Sequence, residues 1–317
     1  MLQGVPFVVV SRGDRIESVH AVAACASGVD GEVLLALGDI DESVYLRSAA
    51  KPFIAAAVVR AGAADRFDLD DRDLAIMSAS HAGEPDHVAA VLALLEKIGA
   101  RPEDLQCGAQ PSVLHNTCSG KHAGILALCR VLDVPFTDYL EPTHPAQRAI
   151  LALCERVSDD RFGPDRLGVD GCGIPVYATS LRNAARAFAR FATLQDLEPG
   201  DAEALVRVRA AMIAEPFYVA GTGRFDTDLL RAGSGRIACK AGAEGVHASA
   251  LLDAGAGLVL KVVDGSRRAA APAAVALLAQ LHALDEMQVS ALAAHASVPV
   301  ENVAGVRVGS IAAGVGN

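Results

Sequence analysis

The sequence predicts an α+β fold in which segments from both ends of the chain form one sheet and a helical lobe lies between them. Apolar, β-branched segments typical of strands lie near the two termini. Segments with helical periodicity occupy most of the region between them. Because strands and helices do not alternate strictly, a doubly wound parallel sheet is disfavoured. We expect a single catalytic domain over residues 1–317 and leave open whether it divides into two lobes.

The predicted strands are short β-branched segments bounded by turn residues. A turn at residues 28–31 separates two of the N-terminal segments, which favours an antiparallel meander. The predicted strands are Pro6–Ser11, Ile16–Ala24, Glu32–Leu37, Ser43–Leu46, Gly235–Lys240, Ala248–Leu252, Gly257–Val263 and Val306–Ile311. The predicted helices are Ala49–Ala61, Pro85–Ile98, Lys121–Leu132, Pro145–Val157, Leu181–Phe191, Ala202–Ala214, Ala271–Leu284 and Val289–Ala296.

Composition and charge exclude two classes of partner. The formal net charge is −10 and Lys and Arg form no cluster, so we expect no nucleic-acid partner. No window of about 18 apolar residues occurs, so we expect no membrane span. The seven cysteines are odd in number and irregularly spaced, and the N-terminus lacks the features of an export signal. We therefore expect reduced thiols and a cytoplasmic protein.

Ser48 and Lys51 form the first candidate catalytic pair. Residues three apart on a helix share a face, so a helix here would place an amine beside a hydroxyl. Such an amine can activate a serine as a nucleophile. Pro52 is tolerated only in the first helical turn, which predicts Ser48 at the helix N-terminus, where free N–H groups favour a developing oxyanion. The alternative is an ordinary helix start capped by a serine.

The second candidate segment, Ser80–His87, is dense in Ser, His and carboxylate side chains and directly precedes a predicted helix. In one interpretation, Ser80 or Glu84 caps that helix. In the other, Ser80 is a second active-site serine. A histidine metal motif is excluded, because neither His-Glu-x-x-His nor His-x-x-Glu-His occurs in the segment.

Lys240 is the third candidate and follows an apolar segment directly. A lysine at the end of a strand, followed by small residues, points an amine into a cleft. Ser-x-x-Lys, then Ser, then Lys-x-Gly is the order found in serine β-lactamases and penicillin-binding proteins. Here Ser80-His81-Ala82 replaces the Ser-Asp-Asn of those enzymes, which disfavours a lactamase. The alternative for Lys240 is an exposed lysine at a strand end.

Three further segments are rich in glycine. Asn116–Gly124 contains Gly-Lys but is not a P-loop, because His115 and His122 occupy the positions that a P-loop gives to Gly and Ser/Thr. Asp170–Pro175 predicts a tight turn that leaves its thiol uncovered. The third segment is Ala220–Thr227. Its Arg224 could pair with a carboxylate of the protein or of a substrate.

Taken together, these segments resemble the asparaginase II family, the Rhizobium-type or class 3 L-asparaginases. The resemblance implies a fold of the serine β-lactamase and glutaminase type, a homodimer, and hydrolysis of L-asparagine to L-aspartate and ammonia. The segments that carry it, in chain order, are Ser11–Gly13, Glu17 with His20, Tyr45–Phe53, Ser80–His87, Asn116–Gly124, Asp170–Pro175, Ala220–Thr227 and Lys240–Val246.

The resemblance also implies roles for individual residues. Ser48 matches the nucleophile with Lys51 as its base, and Ser80 matches a second serine paired with Lys240. The resemblance further implies a metal site, at which a Zn²⁺ ion would orient the substrate rather than activate the nucleophile. The alternative is that the residues of this site simply line a pocket. The implied zinc ligands are Cys118, Lys121 and Cys172, and the implied pocket residues are Arg47, Asn116, His122 and Asp170. For the carboxylate of the substrate the candidate partners are Arg47 and Arg224, and for its ammonium group the candidate is Asp170.

The leading hypothesis is therefore an amidohydrolase that acts on L-asparagine. A glutaminase or a β-lactamase-like or penicillin-binding-like serine acyltransferase would share the two Ser/Lys pairs and differ in substrate. A non-catalytic sensor of amino acids or metals is the hypothesis from another class. The sensor hypothesis predicts the loss of at least one of the four Ser and Lys residues, and all four are present.

Overall fold

The computed structural model describes residues 1–109 and 111–314, and the chain divides into two compact units. The first, which we call the sheet unit, comprises Met1–Val44, Thr179–Thr193 and the described residues from Ala232 onward. The second, the helical unit, comprises Tyr45–Ala178 and Leu194–Arg231. The sequence left these boundaries open, because each unit is assembled from segments that are far apart in the chain.

Strands and helices are numbered in chain order. The strands are β1 (Val5–Arg12), β2 (Arg15–Gly28), β3 (Val33–Leu37), β4 (Ser43–Tyr45), β5 (Leu167–Val169), β6 (Pro175–Ser180), β7 (Ile237–Gly242), β8 (Val246–Leu251), β9 (Ala256–Val262), β10 (Ser297–Glu301) and β11 (Arg307–Ala313). The α-helices are α1 (Lys51–Arg60), α2 (Ala63–Arg66), α3 (Asp71–Met77), α4 (Pro85–Lys97), α5 (Ser119–Val131), α6 (Pro145–Ser158), α7 (Leu181–Thr193), α8 (Pro199–Ala214), α9 (Pro216–Val219), α10 (Phe225–Ala232), α11 (Arg267–Gln280), α12 (Glu286–Ala291) and α13 (Ala293–Ala296).

An eight-stranded antiparallel sheet forms the sheet unit, in the order β10-β11-β1-β2-β9-β8-β7, with β3 paired to β2. The first strand pairs directly with the last described strand, with Val8 opposite Ala313. The prediction of an α+β fold with a sheet built from both ends of the chain is therefore confirmed. The predicted meander is confirmed too, since β1 pairs with β2 and β2 pairs with β3.

Helix α7 packs against β2, β8 and β9 of this sheet, and α11 packs against β8, β9 and β11. The buried side chains of α7 recur at helical spacing, which gives the helix one apolar face. The helix approaches the sheet so closely at Gly257 that a Cβ atom there would meet the backbone nitrogen of Ala189 at 2.5 Å. Only glycine permits this approach.

The helical unit is organised around α1, whose residues from Lys51 to Val59 are all buried. It packs against α5, α6 and α8. A 3-10 turn, Arg47–Ala50, leads into α1, and Pro52 lies in its first turn, where its missing N–H is tolerated. Ser48 therefore lies at the N-terminal entry to the helix, as the position of the proline predicts. No helix of the described residues is long and apolar enough to cross a membrane.

Several elements differ from the sequence prediction for local reasons. Helix α3 was not predicted, and Asp70 and Asp73 form a reciprocal capping box at its start. Strand β10 contains Pro299 and lies at the edge of the sheet, where a missing donor costs no ladder bond. The predicted helix Val289–Ala296 is two short helices, α12 and α13, with Leu292 between them.

A substitution at Gly120 tests how closely α5 packs against α3. A Cβ atom at Gly120 would clash with the carbonyl oxygen of Ile76, a backbone atom that cannot move aside. We expect Gly120→Ala to lower the free energy of unfolding by about 1–3 kcal/mol. In the control Gly124→Ala the nearest atom is the flexible Sδ of Met77 at 2.6 Å, and the gain in helix propensity of about 1 kcal/mol offsets the crowding. Equal losses in urea denaturation would contradict this packing.

Candidate active site

The amine of Lys51 lies at the centre of the site. Its side chain is buried, and Nζ donates to the carbonyl oxygens of Ala79 and, at 3.5 Å, of Thr117. Nζ also lies 3.0 Å from Oγ of Ser80. A neutral amine can donate to the two carbonyls and still accept a proton from the hydroxyl. The arrangement therefore allows a proton to pass between Lys51 and Ser80.

Ser48 lies in the 3-10 turn that precedes α1 and is half-buried. It lines one pocket together with Arg47, Lys51, Lys121 and Asp170. The backbone of Arg47 has φ = 53°, a left-handed conformation that is uncommon for a residue with a side chain. Such strain costs about 1–3 kcal/mol and is characteristic of functional sites. The structure thus places the two members of the predicted Ser48/Lys51 pair in one pocket, beside the hydrogen bond from Lys51 to Ser80.

Arg47 and Asp170 form an ion pair on the wall of this pocket. Nε of Arg47 donates to Oδ1 of Asp170 at 2.7 Å. Burial raises the pKa of Asp170, but the positive charges of Lys121 and Arg47 outweigh burial and hold the pKa below its ordinary value. Asp170 is therefore ionised at neutral pH. Both residues were predicted as substrate contacts, and the structure brings them together across 123 positions of sequence.

A buried cluster of two thiols and an amine lies nearby. Nζ of Lys121 donates to Sγ of Cys172 at 2.8 Å. A hydrogen bond from the Cys172 thiol holds the pKa of Cys118 below its ordinary value, and the same bond and burial raise the pKa of Cys172. Burial lowers the pKa of Lys121, but the negative charge of the sulfur pair more than offsets it, so its pKa is raised. The cluster therefore shares one thiolate and one ammonium.

The donor atoms of this cluster are of the kind that zinc accepts once Lys121 has lost its proton, since an ammonium nitrogen has no lone pair. Two sulfurs and one nitrogen are buried and are linked by hydrogen bonds, so they already lie close together. Among the described residues no group of three His, Cys, Asp or Glu side chains could hold a metal ion. The predicted set differs because its third donor is a lysine. The expectation that Cys172 is uncovered is wrong, because its side chain is buried beside Lys121.

Asn116 fixes the loop that leads into α5. Its Nδ2 donates to the carbonyl oxygens of Cys107 at 2.8 Å and of Gly108 at 3.1 Å, and its Oδ1 accepts from the N–H of Cys118 at 2.9 Å. These contacts position Cys118, the residue from which α5 starts. The predicted contact between Asn116 and a substrate stays a prediction.

The remaining predicted site residues lie in different surroundings. His122 is fully buried on α5, whereas Arg224 is exposed just before α10. Lys240 lies within β7 of the sheet unit, and its Nζ donates to the carbonyl oxygen of Ala241 at 2.8 Å. The alternative of an exposed lysine at a strand end is wrong, because the side chain of Lys240 is fully buried. The pairing of Lys240 with Ser80 stays a prediction.

The segments Ser80–His87 and Ala220–Thr227 are joined by a contact between Glu84 and Thr222 that the sequence did not predict. The N–H and hydroxyl of Thr222 donate to Oε1 and Oε2 of Glu84, each at 2.8 Å. Gly221, with φ = 120°, leaves no room for a Cβ atom beside Glu84. The N–H of Ser80 donates to the carbonyl of Val219 at 3.0 Å. Glu84 occupies the N-cap position of α4 but makes no side-chain capping bond, because its carboxylate binds Thr222, and no local signal pointed to Thr222.

His81, the residue after Ser80, serves the scaffold. Its Nδ1 accepts from the N–H of Gly83 at 3.1 Å, and its Nε2 donates to Oγ of Ser119 at 2.9 Å. Ser119 Oγ in turn donates to a backbone carbonyl, so the chain of donors is complete with a neutral imidazole. Burial lowers the pKa of His81 to about 3. The position that holds Asp in a Ser-Asp-Asn motif is therefore occupied here by a neutral, fully bonded ring.

A buried lysine amine beside a serine hydroxyl is an arrangement by which hydrolases activate a serine for acyl transfer. A family model described as L-asparaginase II matches residues 8–313 of this chain. The chain therefore belongs to the L-asparaginase II family, and its class is that of hydrolases acting on amides.

Two solved structures are similar to this chain in fold. One is a β-lactamase from Mycobacterium bovis, 16% identical, with 82% of this chain and 94% of that chain covered and a TM-score of 0.45. The other is a protein described as a β-lactamase from Bacteroides dorei, 16% identical, with 76% of this chain and 84% of that chain covered and a TM-score of 0.38. No curated protein matches the chain by sequence.

The neutral state of His81 predicts how stability depends on pH. The folded-state pKa is about 3, whereas an unfolded histidine has a pKa near 6.5. Between these values the unfolded chain binds one proton more than the folded chain, so the contribution of His81 is complete above about pH 6.5 and is lost as pH falls. We expect a loss of about 1.4 kcal/mol per pH unit between pH 6 and pH 4.

The measurement is the free energy of unfolding in urea across this pH range for the wild-type protein and His81→Asn. The variant should be less stable at pH 7 and should show a shallower dependence on pH. His282→Asn, which replaces an exposed histidine, should keep the wild-type slope. Parallel slopes for the wild type and His81→Asn would mean that His81 is not held neutral.

Proposed function

We propose that this protein hydrolyses L-asparagine to L-aspartate and ammonia, with a serine as the nucleophile and a lysine amine as the base. The observation that carries the proposal is the buried amine of Lys51, 3.0 Å from the hydroxyl of Ser80 and in the wall of a pocket that Ser48 also lines. Membership of the L-asparaginase II family supports an amide as the substrate.

The proposed reaction has two steps. In the first, Oγ of Ser48 attacks the side-chain amide carbon, its proton passes to the neutral amine of Lys51, and the C–N bond breaks. The protonated amine returns that proton to the leaving nitrogen, which departs as ammonia. In the second, water hydrolyses the β-aspartyl ester of Ser48 and releases L-aspartate. Ser80, hydrogen-bonded to Lys51, would carry protons between the amine and the reacting atoms.

The ion pair of Arg47 and Asp170 supports an α-amino acid as the substrate. An amino acid carries a carboxylate and an ammonium group close together, and a cation beside an anion in one pocket wall complements both. The pair uses Nε of Arg47, and in the described part of the chain neither Nη of Arg47 makes a hydrogen bond. We assign Arg47 to the α-carboxylate and Asp170 to the α-ammonium of the substrate.

Further assignments rest on the family resemblance. We propose Lys240 as the partner of Ser80, and Asn116, His122 and Arg224 as additional substrate contacts. We also propose that Cys118, Lys121 and Cys172 hold a Zn²⁺ ion, which when bound would polarise and orient the substrate as a Lewis acid. The buried sulfur and nitrogen donors of that cluster support the assignment.

We propose a homodimer in the cytoplasm as the setting of this activity. The homodimer rests on the family resemblance. The cytoplasmic location is supported by the seven cysteines, all of which are free and buried.

The serine and lysine assignments are tested by ammonia release from L-asparagine and L-glutamine, and by the change in absorbance when the ring of a β-lactam is opened. Ser48→Ala and Lys51→Met should each lower kcat at least about a thousandfold, and the double variant should lose little more, because the pair acts as a unit. Asparagine should be cleaved much faster than glutamine, since one added methylene has to fit the same pocket.

Ser78→Ala is the matched control, because Ser78 lies two residues before Ser80, is buried, and donates its hydroxyl to the carbonyl of Leu74 at 3.1 Å. This control should keep activity within about a few-fold of the wild type. Near-normal kcat in Ser48→Ala would contradict the assignment of Ser48 as the nucleophile and make Ser80 the first candidate for that role. Faster cleavage of the β-lactam than of either amide would overturn the substrate class.

The zinc assignment is tested by elemental analysis of protein purified without added metal. The wild-type protein should contain a stoichiometric amount of zinc, and Cys172→Ser should lose most of it because one thiolate ligand is removed. Chelation should raise KM more than it lowers kcat. Cys154→Ser is the control, because Cys154 is buried in α6 outside the proposed ligand set. A wild-type protein that contains no zinc and keeps full activity in EDTA would contradict the zinc assignment.

A further inference from the structure

The ring of His122 is held by a buried tyrosine that the proposed reaction does not use. Nδ1 of His122 lies 2.7 Å from Oη of Tyr139, and the ring planes meet at 72°. Both side chains are fully buried. Oη of Tyr139 also accepts from the backbone N–H of Gln106 at 2.8 Å. The carbonyl of Tyr139 accepts from Nε2 of Gln147 at 2.7 Å, which fixes the backbone that carries the phenol.

These bonds decide which nitrogen of His122 carries the proton. The N–H of Gln106 can only donate, so Oη of Tyr139 accepts that bond and has its own hydrogen left to donate. Among the described residues the acceptor within reach of that hydrogen is Nδ1 of His122. Nδ1 therefore carries the lone pair, and the neutral ring has its proton on Nε2.

The proton on Nε2 has no acceptor in the described part of the chain, although the atom is buried. An unsatisfied buried donor is costly, and such groups in native proteins point to a ligand or a functional use. His122 lies four residues after Cys118 and one after Lys121, and residues three and four apart share a helix face. The charges that act on the His122 ring are those of Lys121, Cys118 and Lys51. The free donor thus belongs to the same group of side chains as the proposed site.

We propose that Tyr139 is a positioning residue that fixes His122 as an Nε2–H donor, and that this N–H binds an oxygen atom of the substrate. The contact between His122 and the substrate rests on the proposed function, whereas the tautomer of His122 does not. Without the phenol hydroxyl, Nδ1 would lose its donor, and the ring could place its proton on either nitrogen. The N–H towards the substrate would then be present for only part of the molecules.

The tautomer is read directly from a long-range ¹H–¹⁵N spectrum of protein labelled with ¹⁵N-histidine. In the wild-type protein the signal of His122, assigned by its absence in His122→Asn, should show a protonated Nε2 and an unprotonated Nδ1. Tyr139→Phe should give a mixture of the two forms. Tyr218→Phe, which removes a hydroxyl that makes no hydrogen bond among the described residues, should leave the signal unchanged. Addition of L-aspartate to the wild-type protein should shift the Nε2–H signal.

Kinetics and binding test the contact with the substrate. We expect Tyr139→Phe to raise KM for L-asparagine and the dissociation constant of L-aspartate about tenfold, the loss of about one hydrogen bond, with kcat changed much less. His122→Gln, which keeps an N–H group near the position of Nε2, should bind L-aspartate more tightly than His122→Asn, which does not. Thermal unfolding of each variant shows whether it is folded.

The outcomes separate this proposal from the proposed function. A wild-type protein that cleaves no amide would refute the function, while the tautomer of His122 and the binding of L-aspartate would still test the role of Tyr139. A proton on Nδ1 in the wild type would overturn the proposal. An unchanged His122 signal in folded Tyr139→Phe, or a fall in kcat without a rise in KM, would overturn it as well.

Discussion

Two lysine amines are buried in the helical unit, and most contacts of the site exist because these amines need partners. A buried ammonium or amine without hydrogen bonds costs several kcal/mol, so the surrounding chain has to supply acceptors. Lys51 takes them from the carbonyls of Ala79 and Thr117 and from Ser80. Lys121 takes a sulfur of the thiol pair. Backbone that would otherwise be free to move is thereby fixed around each amine.

Close helix packing brings these groups together. Gly120 allows α5 to approach the carbonyl of Ile76 at the end of α3, and the segment after α3 carries Ala79 and Ser80 to Lys51. The same approach places the first turn of α5 at the site, so that residues three and four apart share one face. Gly120 and Lys121 resemble part of a P-loop, but each has another explanation. Gly120 allows the close helix packing, and Lys121 contacts the thiol pair.

Charge is arranged in pairs rather than as isolated ions. Arg47 and Asp170 neutralise each other, and the ammonium of Lys121 faces the shared thiolate of the cysteine pair. Each pair lowers the cost of burying its two charges. The strained backbone of Arg47 belongs to this arrangement, since the bond to Asp170 holds the guanidinium in place directly before Ser48. An electrically balanced pocket with a buried amine suits an uncharged amide as the reacting group.

The sequence by itself determined the features that depend on local pattern: the strand-forming segments near both ends of the chain, the start of α1 next to Pro52, and the residue types of a serine and lysine site. Hydrophobic periodicity and proline geometry act over a few residues, so they can be recognised in the sequence without knowledge of the tertiary structure. Only the tertiary structure decided that Lys51 contacts Ser80, that Asn116 positions Cys118, and that Tyr139 holds His122. These partners are set by which helices pack together and by the need of each buried polar atom for a hydrogen bond, and neither is encoded in local spacing.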